Sequence, residues 1–186
     1  MALHFSKEEF RKRKSNILES MKVQNLDALL MFRQESMFWL TGYDTFGYVF
    51  FQTLLLDQKG NMILLTRAPD LRQAQNTSNI QDIRIWIDKD GSNPTDDLKL
   101  ILNELNLKGK KVGIEYEAYG MTGRSALRLN ESLKNYCEVE DHSELISNHR
   151  VIKSQEEIVY VKKAAELADR ALEEAWKYTK AGASEA

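Results

Sequence analysis

Four side chains able to bind metals or move protons fall within nine residues: Asp141, His142, Glu144 and His149. A metal pair on a helix needs ligands three or four apart, so that both project from one face. His142 and Glu144 are two apart, and His142 and His149 are seven apart. The cluster therefore reads as a polar connecting segment. The one cysteine, Cys137, lies in Tyr136-Cys-Glu-Val139, a strand pattern in which a thiol is buried and inert. Nearness to His142 in sequence does not make a catalytic dyad, and no Gly-x-Ser-x-Gly elbow is present. Gly120-Met-Thr-Gly123 precedes a helix, where amides can hold a phosphate. It lacks the further glycines or the lysine of a nucleotide loop, so it reads as a loop and a helix cap.

The densest anomaly is aromatic. Phe38 to Tyr48 carries five aromatic residues in eleven, broken by Gly42 and Gly47. Core packing beside a flexible turn is one reading. The other is an aromatic rim in which the glycines let a loop present Tyr43, Phe46 and Tyr48 to a ligand or another protein, since aromatics supply large contact area at low entropic cost. Arg67 and Arg72 flank Ala68-Pro69-Asp70 and carry the planar forks that recognise carboxylates.

The elements that must position these residues are legible in outline. Ser6-Lys-Glu-Glu9 is a capping box, with Phe5 and Phe10 placed as a hydrophobic staple. Phe10, Ile17, Leu18 and Met21 then give one apolar helix face. The basic run Arg11 to Lys14 on the same helix reads as a solvated face. Leu26 to Phe32 is continuously apolar, as suits a strand covered on both sides. A short segment, Gln34 to Thr41, ends at Gly42. A long strand is expected over Tyr48 to Leu56, with a hairpin return at Met62 to Thr66. Pro69 opens a short helix to about Gln75, and Ile80 to Ile87 alternates as a strand. Further helices are expected from Pro94, carrying Leu98, Ile101, Leu102 and Leu105, and over Thr122 to Leu133. Short strands follow at Lys111 to Glu115 and Tyr136 to Glu140. The order predicts an α/β fold: a single mixed, mostly parallel sheet flanked by helices.

Ser154-Gln-Glu-Glu157 is a second capping box. Behind it a stripe from Ile158 to Trp176 recurs at helical spacing to about Lys180, and a stripe of that length needs a cover. Residues 1–150 thus read as a complete α/β domain and 151–186 as a linker helix leading elsewhere. The expectation is a chain that continues beyond Ala186.

Composition sets outer limits. Among 186 residues, 26 Lys and Arg against 28 Asp and Glu give a formal charge of −2. That balance gives no reason to expect nucleic acid or an anionic membrane as partner. No apolar run approaches the ~20 residues of a membrane-spanning helix. The N-terminus lacks a signal-peptide pattern, and a single cysteine excludes an intrachain disulfide. A cytoplasmic protein is expected.

Two stretches resemble a known family: Phe38-Trp-Leu-Thr-Gly-Tyr-Asp44 with the apolar strand behind it, and Arg150-Val-Ile-Lys-Ser-Gln-Glu-Glu-Ile158 running on to Asp169. With Val112-Gly-Ile-Glu115, they look like the N-terminal domain and linker helix of the "pita-bread" metallohydrolases, which include Xaa-Pro aminopeptidases, prolidases, creatinases and ectoine-hydrolase-like enzymes. The resemblance implies a creatinase/prolidase N-terminal fold and a parent that cleaves an amide-type C–N bond in a small peptide or amide. It implies no cofactor in this chain. Two divalent ions (Mn, Co or Zn) would sit in a missing catalytic domain, where they would activate hydroxide. It also implies a homodimer in which this domain reaches the neighbouring active site. Tyr43, Asp44, Phe46, Tyr48 and Arg67 are the residues it nominates for substrate gating; no catalytic or metal-binding residue is nominated. The alternative is a stand-alone module binding a small molecule or a protein, with the catalytic half lost. The reading frame beyond Ala186 separates the two: a continuing frame that carries metal ligands supports the first, and a stop codon supports the second.

Overall fold

The computed structural model describes residues 3–184. The first helix, α1 (Lys7–Val23), begins as its capping residues dictate: the Ser6 hydroxyl accepts from the Glu9 amide at 3.0 Å. The Phe5 and Phe10 rings meet edge to face, 6.0 Å between centroids, and close the staple. Phe10, Ile17 and Met21 are buried, and Arg13 is buried with them. The basic run is therefore not a uniformly solvated face. Position 13 lies three residues after 10 and four before 17, on the apolar stripe itself. Its guanidinium donates to Glu9 at 2.9 Å and to the Trp39 carbonyl at 2.7 Å. It also lies 4.1 Å from the Phe5 ring centroid, so charge and packing are both satisfied.

Six strands form one sheet: β1 (Ala28–Met31), β2 (Thr53–Asp57), β3 (Met62–Arg67), β4 (Asp82–Trp86), β5 (Lys111–Ile114) and β6 (Glu138–Asp141). Their order is β4-β3-β2-β1-β5-β6. The β3–β4, β1–β5 and β5–β6 pairs are parallel; β1–β2 and β2–β3 are antiparallel. This is the mixed, mostly parallel sheet that the element order requires. The continuous apolar run of β1 is divided between two cores. Ala28 and Leu30 join Leu98, Ile101 and Leu102 of α4 (Pro94–Glu104) and Leu129 and Leu133 of α5 (Gly123–Leu133). Leu29 and Met31 join Ile17 and Met21 of α1 and Met37 and Leu40 of α2 (Gln34–Thr41). Ala74 of α3 (Leu71–Thr77) and Leu145 and Ile146 of α6 (Glu144–Val151) complete that second side.

Two strands are shorter than their apolar patterns suggest. β2 begins at Thr53, not Tyr48, because Gly47–Val49 is a turn of 3-10 helix closed by Phe50 N–H donating to the Gly47 carbonyl at 2.9 Å. β4 ends at Trp86, which is the buried residue, while Ile87 is exposed. The Trp86 indole donates to the Phe51 carbonyl at 3.0 Å and draws that residue toward the core.

A second compact unit comprises Val151–Ala186. Its helix, α7 (Gln155–Tyr178), has 24 residues, about 36 Å, and stops two residues before Lys180. Both bonds of the capping box are present: Glu157 N–H to Ser154 Oγ at 3.2 Å, and Ser154 N–H to Glu157 Oε2 at 2.7 Å. None of its residues is buried.

Three helices of the first unit are followed by asparagine in the left-handed region: Asn25, Asn106 and Asn135, at φ 56°, 58° and 58°. After α1 and α4 the next amide closes the helix end, Leu26 N–H to Met21 O at 2.8 Å and Leu107 N–H to Leu102 O at 2.9 Å. Asparagine stands where glycine is commonest. Asn106→Val is expected to cost roughly 1–2 kcal/mol, and Asn106→Gly far less. Urea unfolding midpoints of the two variants check this; equal losses would contradict it.

Candidate functional site

The strand pairing brings several chemically useful segments to one edge. Leu30 lies opposite Ile114, Ile114 opposite Asp141, Met31 opposite Leu54, and Thr66 opposite Ile85. The carboxyl ends of β1, β3, β4, β5 and β6 and the start of β2 therefore share that edge. From β1 the sheet builds toward β2 on one side and toward β5 on the other. In open α/β sheets, ligands bind outside the carboxyl ends at such a switch point. Here the switch point is a cleft of about 490 Å³ lined by Arg33, Glu35, Glu117, Ala118, Tyr119 and Arg150.

Glu115, the residue after β5, builds the floor of this region. It is fully buried. Its Oε2 accepts from the amides of Phe32 at 3.1 Å and Arg33 at 3.0 Å, and its Oε1 accepts from Ser36 Oγ at 2.6 Å. Arg33 is the N-cap of α2, yet its side chain makes no cap bond. Glu115 therefore holds the entry to α2 from the end of another strand. Burial outweighs these donors and pushes its carboxyl up to about 7. The Arg33 side chain reaches along the edge instead, donating to the Glu117 carbonyl at 2.8 Å, to its carboxylate at 3.2 Å and to the Ser147 hydroxyl. Sequence reasoning missed both roles. The available signal was an acidic residue directly after an apolar strand.

The aromatic-glycine segment lies on the same edge. Gly42, at φ 82°, ends α2 with its N–H on the Phe38 carbonyl at 2.7 Å. Tyr43 is not presented on a rim. It is fully buried, and its hydroxyl donates to Gln52 Oε1 at 2.8 Å. The same oxygen accepts from Thr66 Oγ1 at 3.2 Å. Burial raises the phenol above its ordinary value, which keeps it a donor. The rim consists of Asp44, Phe46, Tyr48, Val49 and Phe50, all exposed. Phe46 is the extreme, at 88% exposure. Tyr48 meets the ring of exposed Tyr119 edge-on at 5.9 Å, joining the rim to the cleft wall. Arg67 aims its fork at Asp70, Nε and Nη2 each 3.1 Å from Oδ2. Its guanidinium carbon lies 3.4 Å from the centroid of Phe50. The fork is thus engaged within the domain, and Arg72 is exposed.

The remaining candidates lie elsewhere. Burial pushes the Cys137 thiol up to about 11, the opposite of what a nucleophile needs. His142 pairs with Glu140 at 3.2 Å, and His149 with Ser20 at 2.8 Å. Thr122 caps α5 by accepting from the Ser125 amide at 3.2 Å. Gly120 serves close packing, since a Cβ there would lie 2.5 Å from the Phe50 carbonyl oxygen. Among the described residues no three His, Cys, Asp or Glu side chains come together as a metal site.

Comparison with known proteins agrees with this architecture. The model of the Creatinase/Prolidase N-terminal domain matches residues 13–152. An uncharacterised hydrolase/peptidase, y4tM, of Sinorhizobium fredii is 28% identical over 180 residues, covering 93% of this chain and 46% of that protein. The ectoine hydrolase of Halomonas elongata is 26% identical over 174 residues, covering 90% and 43%. The crystal structure of an Xaa-Pro dipeptidase from Bacillus anthracis superposes with a TM-score of 0.74 at 19% identity, covering 92% of this chain and 44% of that one. The chain spans less than half the length of the curated relatives it matches.

Glu115 generates a prediction for stability against pH. Its carboxyl holds a proton more tightly in the folded chain (about 7) than at its ordinary value of 4.5. Its contribution to stability therefore falls as pH rises between those values. The stability of the wild-type chain minus that of Glu115→Gln should decrease from about pH 5 to about pH 8. Urea unfolding of both at each pH checks this, and a difference that grows with pH would contradict it.

Proposed function

The chain belongs to the Creatinase/Prolidase N-terminal domain family, and on that premise we propose that it is the non-catalytic N-terminal domain of a dinuclear-metal hydrolase of the Xaa-Pro peptidase or creatinase type. The parent would cleave an amide-type C–N bond in a small peptide or amide, in the cytoplasm. One observation carries this reading: a match over residues 13–152 to that family, alongside curated relatives, named as a hydrolase/peptidase and an ectoine hydrolase, that are about twice as long. Mn, Co or Zn ions would be held by a catalytic half outside this sequence. The part left to this domain is assembly of a homodimer and gating of substrate. The exposed rim Asp44, Phe46 and Tyr48 supports that role, because large apolar side chains held at a strand edge are suited to close over a neighbouring site.

Two measurements test the proposal. Elemental analysis of the purified chain should find no stoichiometric tightly bound metal; about two Mn, Co or Zn ions per chain would contradict it. In the parent enzyme, Phe46→Ala with Tyr48→Ala should lower kcat/KM at least about tenfold while leaving the melting temperature nearly unchanged. Unchanged kcat/KM on every substrate the parent turns over would remove the gating role.

A further inference from the structure

We infer that Asp70 and Arg67 are positioning residues that clamp the 45–50 turn in one conformation, with Gly47 leaving the room that the Asp70 carboxylate fills. This rests on the gating role proposed above for its purpose, but not for its geometry.

Asp70 ends a turn of 3-10 helix, Ala68–Asp70, that runs directly into α3, so its backbone is already helical. Its side chain makes no cap bond. It points instead at the turn: Oδ1 lies 3.5 Å from Thr45 Oγ1, and Oδ2 accepts from Arg67 at 3.1 Å. Thr45 relays the contact, because its Oγ1 accepts from the Gly47 amide at 2.8 Å.

The fit at Gly47 is close. A Cβ built there would lie 2.5 and 2.7 Å from the two Asp70 oxygens, well inside van der Waals contact. The backbone dihedral at Gly47 is not left-handed, so the requirement for glycine comes from Asp70 and not from φ. The far side of the turn is held in the same way. A Cβ on Gly120 would meet the carbonyl oxygens of Phe50 at 2.5 Å and Tyr48 at 2.9 Å. Arg67 closes the seat by stacking on Phe50 while bonding Asp70. Both members of that pair are largely shielded from water, with side-chain exposures of 14% and 9%, where a charged hydrogen bond is strong. Phe46 and Tyr48 project from a turn whose backbone is seated on both faces, which lowers the ordering cost when a ligand or partner arrives.

Chymotrypsin reads the turn directly, because Phe46, Tyr48 and Phe50 are exposed cleavage sites. Cleavage within 46–50 of the native chain, mapped by mass spectrometry, should be slow. It should quicken at least about tenfold in Asp70→Ala and in Gly47→Ala. Gly47→Ala with Asp70→Ala should cleave no faster than Asp70→Ala alone, since the two changes break one contact. Thr45→Val, which keeps shape and removes only the relay oxygen, should quicken cleavage with little change in melting temperature, and so reports even if Asp70→Ala unfolds. Cleavage unchanged in all variants, or additive effects in the double variant, would overturn the clamp. Faster cleavage in Thr45→Val with unchanged kcat/KM in the parent enzyme would instead leave the clamp standing and overturn the gating role.

Discussion

A single buried carboxylate sets the geometry of the working edge. Glu115 leaves the end of β5 and accepts from two amides and a hydroxyl at the start of α2. The β1-to-α2 junction has no cap of its own. Without Glu115, the buried Phe32 amide and the half-buried Arg33 amide would lose their acceptor, a cost of a few kcal/mol. The bond joins the two parallel strands on either side of the point where the chain reverses its direction of building. α2, and with it Gly42 and the aromatic turn directly behind it, takes its position from that junction. The cost is an acid buried so deeply that its proton is held to about 7.

From that anchor the edge is built in layers. Tyr43 and Gln52 lie beneath the turn as a buried hydrogen-bonded pair. Above them, Asp70 and Gly47 fit one another closely, and Arg67 stacks on Phe50. Outermost, Phe46, Tyr48 and Tyr119 face solvent. The Tyr43 hydroxyl has its partner inside, and the Phe46 and Tyr48 rings are left outside. A chain that leaves a phenylalanine 88% exposed at the end of a well-packed sheet has an apolar surface suited to meeting another surface.

Much of the fold was legible because its signals are local. Both capping-box serines, the staple of Phe5 and Phe10, the doubly covered run of β1 and the stripe of α4 each sit within a few neighbouring residues. The family, too, could be read from short motifs, Phe38 to Asp44 and Arg150 to Ile158. The site was less legible because its contacts are distant in sequence. Glu115 meets Arg33 across 82 positions and Ser36 across 79, and no periodicity carries that information. Tyr43 looked like a rim residue because it stands between glycines; its partner Gln52 lies across a turn whose shape depends on Asp70. Arg13 was the exception. Its place on the stripe between Phe10 and Ile17 was visible, and the charged neighbours concealed it.

Glu115 holds α2 and the turn together, and hydrogen exchange tests that. In Glu115→Ala, amides from Arg33 to Gln52 should lose protection while those of the β2–β3 hairpin and α4 keep theirs. Unchanged protection across Arg33 to Gln52, or a loss spread evenly over the first domain, would contradict it.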